Sequence, residues 1–415
     1  MACQVHDLDG VAWRTERGCL NWLPVLRRGP KQSAHPVVYA GQMPSRPIRV
    51  GVISMATMLC AVAAAAGCTS GGTQPRGATG SRALGNGASR EASAHPAATG
   101  RSAGARTSGS ITLAFAGDVH FAGRTAKLLG HPATAFGPIA PLLRSADLTL
   151  VNLETAVTSG GRPQPKSYHF RTNPAAFAAL RDAGIDIANM ANNHVLDYGR
   201  AGLADTMSAA RRARFPVLGL GVNAAAAWSP YVVTVKGVRI AFLGVSQVAE
   251  LASSWVATKN RSGEANAINL HRTLAAVRAA KKVADVVIVI MHWGTEGQAC
   301  PDANQLALAP RLAAAGATII VGSHAHVLQG SGWLGRTFVA YGMANFLWWE
   351  TSYSTATGVL LLNLHRHGPL SWRFVPATVS GAGQPILDTG RAAKLARANY
   401  RSLRGCAQLS AHPRH

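Results

Sequence analysis

The chain has 415 residues, and 41 lysines and arginines against 18 aspartates and glutamates give it a formal net charge of +23. An apolar share of 48% supplies a sizeable core and excludes wholesale disorder, while six cysteines exclude a disulfide-dense mini-scaffold. One apolar run alone could span a bilayer, which excludes a polytopic membrane protein.

The charge is not packed into one tail. Residues 1–110 carry 12 Lys/Arg against 4 Asp/Glu, and the remainder 29 against 14. Arginine outnumbers lysine 33 to 8 and alanine is abundant, a balance that fits a G+C-rich coding sequence. No basic helix, zinc-finger spacing or RNP-like string stands out, so no nucleic-acid partner is expected. An anionic membrane or polymer stays open.

In chain order, residues 1–42 precede Met43 and are expected to be a gene-model extension. Residues 46–68 read RPIRVGVISMATMLCAVAAAAGC. Arg46 and Arg49 make a positive start, an apolar stretch follows, and Ala65-Ala66-Gly67 precede Cys68. This resembles a bacterial export signal with a lipoprotein box, in which Cys68 is lipidated. Ala65 stands where leucine is usual, so a signal cleaved elsewhere and an uncleaved anchor are the alternatives. Residues 43–68 are therefore read as signal and membrane anchor, and the protein as extracytoplasmic and held at the cell membrane. Residues 69–110 are almost all Gly, Ala, Ser, Thr, Arg and Pro, without an aromatic residue, and read as a flexible tether. Beyond it only Cys300 and Cys406 remain. A pairing and two unrelated thiols are both open.

From Ile111 short apolar runs alternate with Ala/Leu/Arg-rich stretches. Strands are predicted at 111–116, 148–151, 186–189, 216–218, 231–235, 238–244, 286–291, 318–321, 337–341, 358–364 and 372–375. Helices are predicted near 136–145, 174–183, 202–214, 269–283 and 304–315. The Lys236-Gly237 turn predicts a hairpin. The alternation argues for one large α/β domain over 111–380, with 381–415 as a C-terminal extension.

Five predicted strands end on residue types that bind metals. ITLAFAGDVHF ends on Asp118 and His120, and DLTLVNLET on Asn152 and Glu154. IDIANMANNHVLDYG brings Asn192, Asn193 and His194. VVIVIMHWGTEG brings His292 and Glu296, and ATIIVGSHAHVLQG brings His324 and His326. In open α/β sheets ligands bind at the carboxyl ends of strands, where a buried strand fixes its terminal residue. Carboxylate, amide oxygen and imidazole together suit Mn, Zn or Fe better than Ca. A carboxylate bridging two such ions suits phosphoryl chemistry.

The ordered set resembles the calcineurin-like metallophosphoesterase superfamily. It is more closely similar to the CapA family of poly-γ-glutamate capsule synthesis proteins, through VNLETAVT, ANNHVLDYG, HWGTEG, VGSHAHVLQG and YGMANF. The resemblance implies a four-layer α/β/β/α sandwich and two divalent transition metal ions. Asp118, His120 and His326 would hold one ion, Asn193, His292 and His324 the other, with Glu154 between them. His194 would act beyond the metals as general acid or as oxyanion donor. Alternatively Asn152 coordinates and Glu154 acts as base. The usual GNF is Ala344-Asn345-Phe346 here, a lost glycine that bears on backbone approach.

Lys166 and Arg171 in PKSYHFR, with His169, are candidates for binding an anionic substrate, or are ordinary loop charges. Glu296 is expected to support a ligand imidazole, and Asp197 to orient the turn around His194. Trp348 and Trp349 line a cleft or pack in the core. Three functions follow: a membrane-tethered capsule-polymer protein with a hydrolase site, working beside a membrane polymer synthase; a phosphoesterase unrelated to capsule; and a non-catalytic polymer-binding assembly factor.

Overall fold

The structure, a computed structural model, describes residues 110–364 and 371–414 and two strand fragments, Asp7–Leu8 and Val11–Ala12. The expected extension, the signal with Cys68 and the tether otherwise lie outside the described residues. No helix among the described residues is long and apolar enough to cross a membrane.

The strands that build the domain are, in chain order, β1 (Ile111–Val119), β2 (Leu148–Leu153), β3 (Ile187–Asn189), β4 (Val217–Leu218), β5 (Tyr231–Val235), β6 (Val238–Ser246) and β7 (Val286–Trp293). They continue with β8 (Ile319–His324), β9 (Ser331–Leu334), β10 (Thr337–Ala340), β11 (Asn345–Leu347), β12 (Ala356–Leu364), β13 (Ser371–Val379) and β14 (Pro385–Leu387). One sheet runs β14-β13-β12-β1-β2-β3-β4, with β11 pairing β1. The other runs β5-β6-β7-β8-β10-β9. β1–β2–β3–β4 and β6–β7–β8–β10 are parallel, with helices in every crossover but the last, where β9 intervenes. The longer helices are α1 (Ala175–Asp182), α2 (Gly199–Ala213), α3 (Leu270–Val283), α4 (Ala303–Ala315) and α5 (Gly390–Ser402).

Alternation along the strands sorts the side chains into three apolar layers. Ile111, Leu113 and Phe115 of β1 meet Ile240, Phe242, Ile288 and Ile290 of the second sheet in a middle layer. Ala114, Ala116 and Val119 face the other way, onto Phe177, Leu180 and Leu203 of α1 and α2. Val287, Val289 and Met291 pack with Val277, Leu308 and Leu312 of α3 and α4. The result is the four-layer α/β/β/α sandwich. Strands covered on both faces read as unbroken apolar runs, which is why they were legible.

Several strands run further than the apolar pattern predicts. β1 continues through Asp118, β7 through His292 and β8 through His324. Polar residues end a hydrophobicity signal without ending the ladder. Residues 381–414 join the same body: β14 pairs β13, Tyr400 of α5 stacks on Phe374 with centroids 3.9 Å apart, and Ser410 pairs with Trp333 through the backbone. Cys300 and Cys406 form a disulfide. α5 also corrects the expectation of no basic helix. Four of its 13 residues are arginine or lysine and none is acidic, and its buried positions are Ala393 and Tyr400.

Candidate metal centre

The strand ends of both sheets converge. Two groups have donor atoms within 4.8 Å of one another: Asp118, Glu154 and His292, and Glu154, His324 and His326. All are buried, and Glu154 belongs to both groups. Asp118 is fixed through its backbone, where its N–H donates to the Ala344 carbonyl at 2.9 Å. This contact leaves no space for a side chain at Gly117, whose added Cβ would lie 1.8 Å from that oxygen. Ala344 holds a left-handed φ of 60°, the conformation the missing glycine would adopt without strain. His324 and His326 also have positive φ, 88° and 57°, a cost of about 1–3 kcal/mol each that recurs at functional sites.

A buried amide network surrounds the carboxylates. Asn152 Nδ2 donates to Asp118 Oδ1 at 2.8 Å, and Asn152 Oδ1 accepts from Asn189 at 2.9 Å and from Asn192 at 3.3 Å. The Asn152 oxygen is thereby engaged. Both Glu154 oxygens, in contrast, are buried without a hydrogen-bond partner. Glu154 Oε1 lies 3.4 Å from His292 Nε2 and 3.9 Å from His194 Nε2. Asn193 Oδ1 and His292 Nε2 stand 2.8 Å apart, within hydrogen-bonding distance. His292 Nδ1 meets Ser323 Oγ at 2.9 Å, and His326 Nδ1 meets Asn345 Oδ1 at 2.9 Å and Asp118 Oδ2 at 3.5 Å.

Electrostatics follows from this crowding. Burial, and then Asp118, push the Glu154 carboxyl well above its ordinary range. Burial pushes Asp118 up too, but His326, His292 and Asn152 outweigh it and hold that carboxyl down. Burial lowers His292 to about 3 and drives His120, His194 and His324 well below 6.5. Burial also opposes the charge of His326, yet Glu154 and Asp118 lift it to about 9. Both Glu154 oxygens are left as free donors beside imidazoles, His292 and His324, that burial keeps unprotonated, the form in which they ligate metals. The residues present therefore fit a divalent metal.

His194 Nδ1 bonds Asp197 Oδ2 at 2.7 Å, and Asp197 also accepts from the Phe170 N–H at 2.6 Å. Asp197 thus orients His194 directly. Burial raises the Asp197 carboxyl to about 6 against the pull of Lys166. Lys166 differs from expectation: its ammonium is buried against Asp197 at 3.1 Å, Glu250 at 2.8 Å and the Asn193 carbonyl, so it braces the His194 turn and is not free for substrate. Arg171 is exposed, 4.7 Å over the Tyr198 ring, in a cavity of about 330 Å³ that none of the converging donors lines. His169 bonds the Gln164 carbonyl at 2.6 Å. Neither converging group includes His120. It packs against Phe170 and Trp348, its Nδ1 accepts from the Ala122 N–H at 3.1 Å, and its buried Nε2 has no partner. Glu296 reaches only to 4.0 Å from His326 Nε2 and instead accepts from Tyr353 Oη at 2.5 Å. Trp348 is buried beside His326, with Trp349 on Phe170. Sequence reasoning missed Asn189, Ser323 and Asn345; each is a polar residue set in an apolar strand or its continuation, and that interruption was the available signal.

The sequence profile of bacterial capsule synthesis proteins, PGA_cap, matches residues 112–348. The chain belongs to that family. The capsule biosynthesis protein CapA of Bacillus anthracis is 29% identical over 295 residues, covering 68% of this chain and 71% of the relative. The PGA biosynthesis protein CapA of Bacillus subtilis is 29% identical over 278 residues, 66% of this chain and 72% of that one. A probable polyglutamine synthesis accessory protein of Mycobacterium tuberculosis is 31% identical over 191 residues, 44% of this chain and 50% of the relative. Among solved structures, a putative 5′-nucleotidase from Staphylococcus aureus aligns at 15% identity and TM-score 0.42, over 71% of this chain and 58% of that one. The NAD nucleotidase of Haemophilus influenzae aligns at 16% identity and TM-score 0.40, over 73% and 64%.

Proposed function

We propose that this family member is an exported, membrane-tethered protein of capsule or envelope polymer assembly, acting on poly-γ-glutamate through a metal-dependent hydrolytic site. The observation that carries the hydrolytic part is Glu154, buried with both oxygens unpartnered and common to two donor groups. Asp118, His326 and His324 would hold one side of the centre, Asn193 and His292 the other, with Glu154 between them. Divalent cations bound there supply Lewis acidity and a water of lowered pKa.

The chain's own groups supply the rest. Asp197 holds His194 Nδ1, so Nε2 of the neutral ring faces the site, where it can take a proton from the attacking water and return it to the leaving group. The Asn152 network keeps Asp118 from swinging away. The strained backbone at His324 and His326 aims two imidazoles from one short turn. Export and tethering rest on the signal-like segment that ends at Cys68, and the disulfide accords with an oxidising compartment.

Metal analysis of the gently purified full chain tests the centre, paired with a screen of phosphoesters and poly-γ-glutamate. Retained transition metal and hydrolysis, both lost in Asp118→Ala, are expected. A parent protein that holds no transition metal, or an Asp118→Ala variant with unchanged metal and hydrolysis, would overturn the reading. Membrane fractionation before and after Cys68→Ala tests the anchor.

A further inference from the structure

We infer that α5 and the turn after it form a separate docking track for a polycarboxylate chain, away from the metal donors. This rests on the polymer reading above and extends it to a second surface. Residues 389–415 carry six lysines and arginines and no acidic residue. Lys394, Arg397 and Arg401 recur at i, i+3 and i+7, so they form one stripe along the helix with neighbouring Cβ atoms ~5–6 Å apart, and Arg404 continues the row in the turn after it. Lys394 and Arg401 are exposed, and Arg397 and Arg404 half-buried at the flank. Among the described residues none of the four pairs with a carboxylate. Arg404 is held in place, with Nε donating to the Ser331 carbonyl at 3.1 Å and its guanidinium over Trp372.

The occupant follows from what the helix has already spent. Its apolar side, Ala393 and Tyr400, is buried in the domain. Leu395, 61% exposed, is the one large apolar side chain left outward on the helix. A helix that binds by insertion into a bilayer needs a whole apolar face to insert. Single-stranded nucleic acid is held by exposed aromatic platforms, and the only aromatic residue of this helix, Tyr400, is buried. A row of cations without either matches a flexible chain of carboxylates. An α-linked chain advances ~3.5 Å per residue, and the two extra backbone methylenes of a γ-linked one bring its carboxylates closer to the stripe's 5–6 Å.

The track is also stitched to the metal centre. Cys406, two residues past Arg404, is bonded to Cys300 with a Cα–Cα distance of 5.6 Å. From Cys300 at most about 14 Å of chain leads back to Glu296, which approaches His326. The Arg404 end of the stripe is thereby tied covalently, through Cys406 and Cys300, to the segment that carries Glu296.

The test is binding of the full chain to poly-γ-glutamate, to oligo(dT) and to anionic phosphatidylserine vesicles, at 50 and 200 mM salt. Poly-γ-glutamate is expected to bind more tightly than the other two at equal charge concentration, and to weaken at the higher salt. Lys394→Glu with Arg401→Glu should lower that affinity at least 10-fold, and the pair changed to Gln, which spares the fold, several-fold. Metal content and hydrolysis of a small phosphoester stay at parent levels in both, which separates failure here from failure of the hydrolytic reading. Unchanged polymer affinity in the Gln pair, or tighter binding of DNA or vesicles, would overturn the inference.

Discussion

Gly117→Ala is the sharpest test of how the backbone builds the centre. An added Cβ would lie 1.8 Å from the Ala344 carbonyl oxygen and 2.5 Å from that of Met343. Both are backbone atoms, so no rotamer change relieves the clash. The strands must part, and the 2.9 Å hydrogen bond from Asp118 N–H to Ala344 is lost with them. Overpacking costs about 1–3 kcal/mol and an abandoned buried backbone bond about 1–3 kcal/mol, so a loss of about 2–6 kcal/mol is expected. A domain stable by about 5–15 kcal/mol survives most of that range. The variant should fold, unfold at lower urea, and retain less metal, because Asp118 has moved. Gly130→Ala is the control, since a Cβ there meets nothing within 4 Å. Equilibrium urea unfolding and metal analysis of both variants give the answer. A Gly117→Ala protein within about 1 kcal/mol of the parent and with full metal would refute the packing argument.

Glu264 is buried with Oε2 unpartnered, and burial holds its carboxyl up at about 8 against an ordinary 4.5. The folded state therefore favours the protonated form, so this contribution is complete below pH 4.5 and is lost as pH rises through 8. At about 1.4 kcal/mol per pH unit, it amounts to several kcal/mol. Glu264→Gln should gain stability relative to the parent between pH 5 and 8, and parallel stability–pH curves would count against it. Glu154→Gln replaces a buried, unpartnered carboxyl whose ionised form burial and Asp118 disfavour, so in chelator its melting temperature should equal or exceed the parent's. Added Mn or Zn at about 1,000 times Kd should stabilise the parent by about 4 kcal/mol and the variant far less, read by thermal shift. Cys300→Ser with Cys406→Ser opens a link between residues 106 apart, worth about 4–5 kcal/mol on chain entropy, and a denaturation midpoint like that of the oxidised parent would refute it.

The residues that announced the fold were those whose physics is local. Val286–Trp293 reads as a strand because apolar side chains cover both faces, and α4 reads as a helix because Asp302 and Gln305 form a capping box over its first turn. β9, β11 and β14 were not legible, since runs of three or four residues, each broken by a glycine, asparagine or proline, acquire strand geometry only from their neighbours. The donors were legible because each interrupts or closes an apolar run. Their partners were not. Nothing local says that Lys166 is taken up by Asp197 and Glu250, or that Asn345 reaches His326, because those contacts join segments brought together by topology.

Both donor groups draw on both sheets: Asp118 and Glu154 come from the first, His292, His324 and His326 from the second. The bond from His324 N–H to Asp118 spans 206 residues of chain. Neither sheet alone therefore carries a complete group, and a half-folded chain has nothing to offer a cation. Contacts this distant in sequence form late, after the slow pairing of parallel strands. If the donors hold a cation as proposed, its capture would follow the docking of the two sheets, and a loaded centre would report that docking.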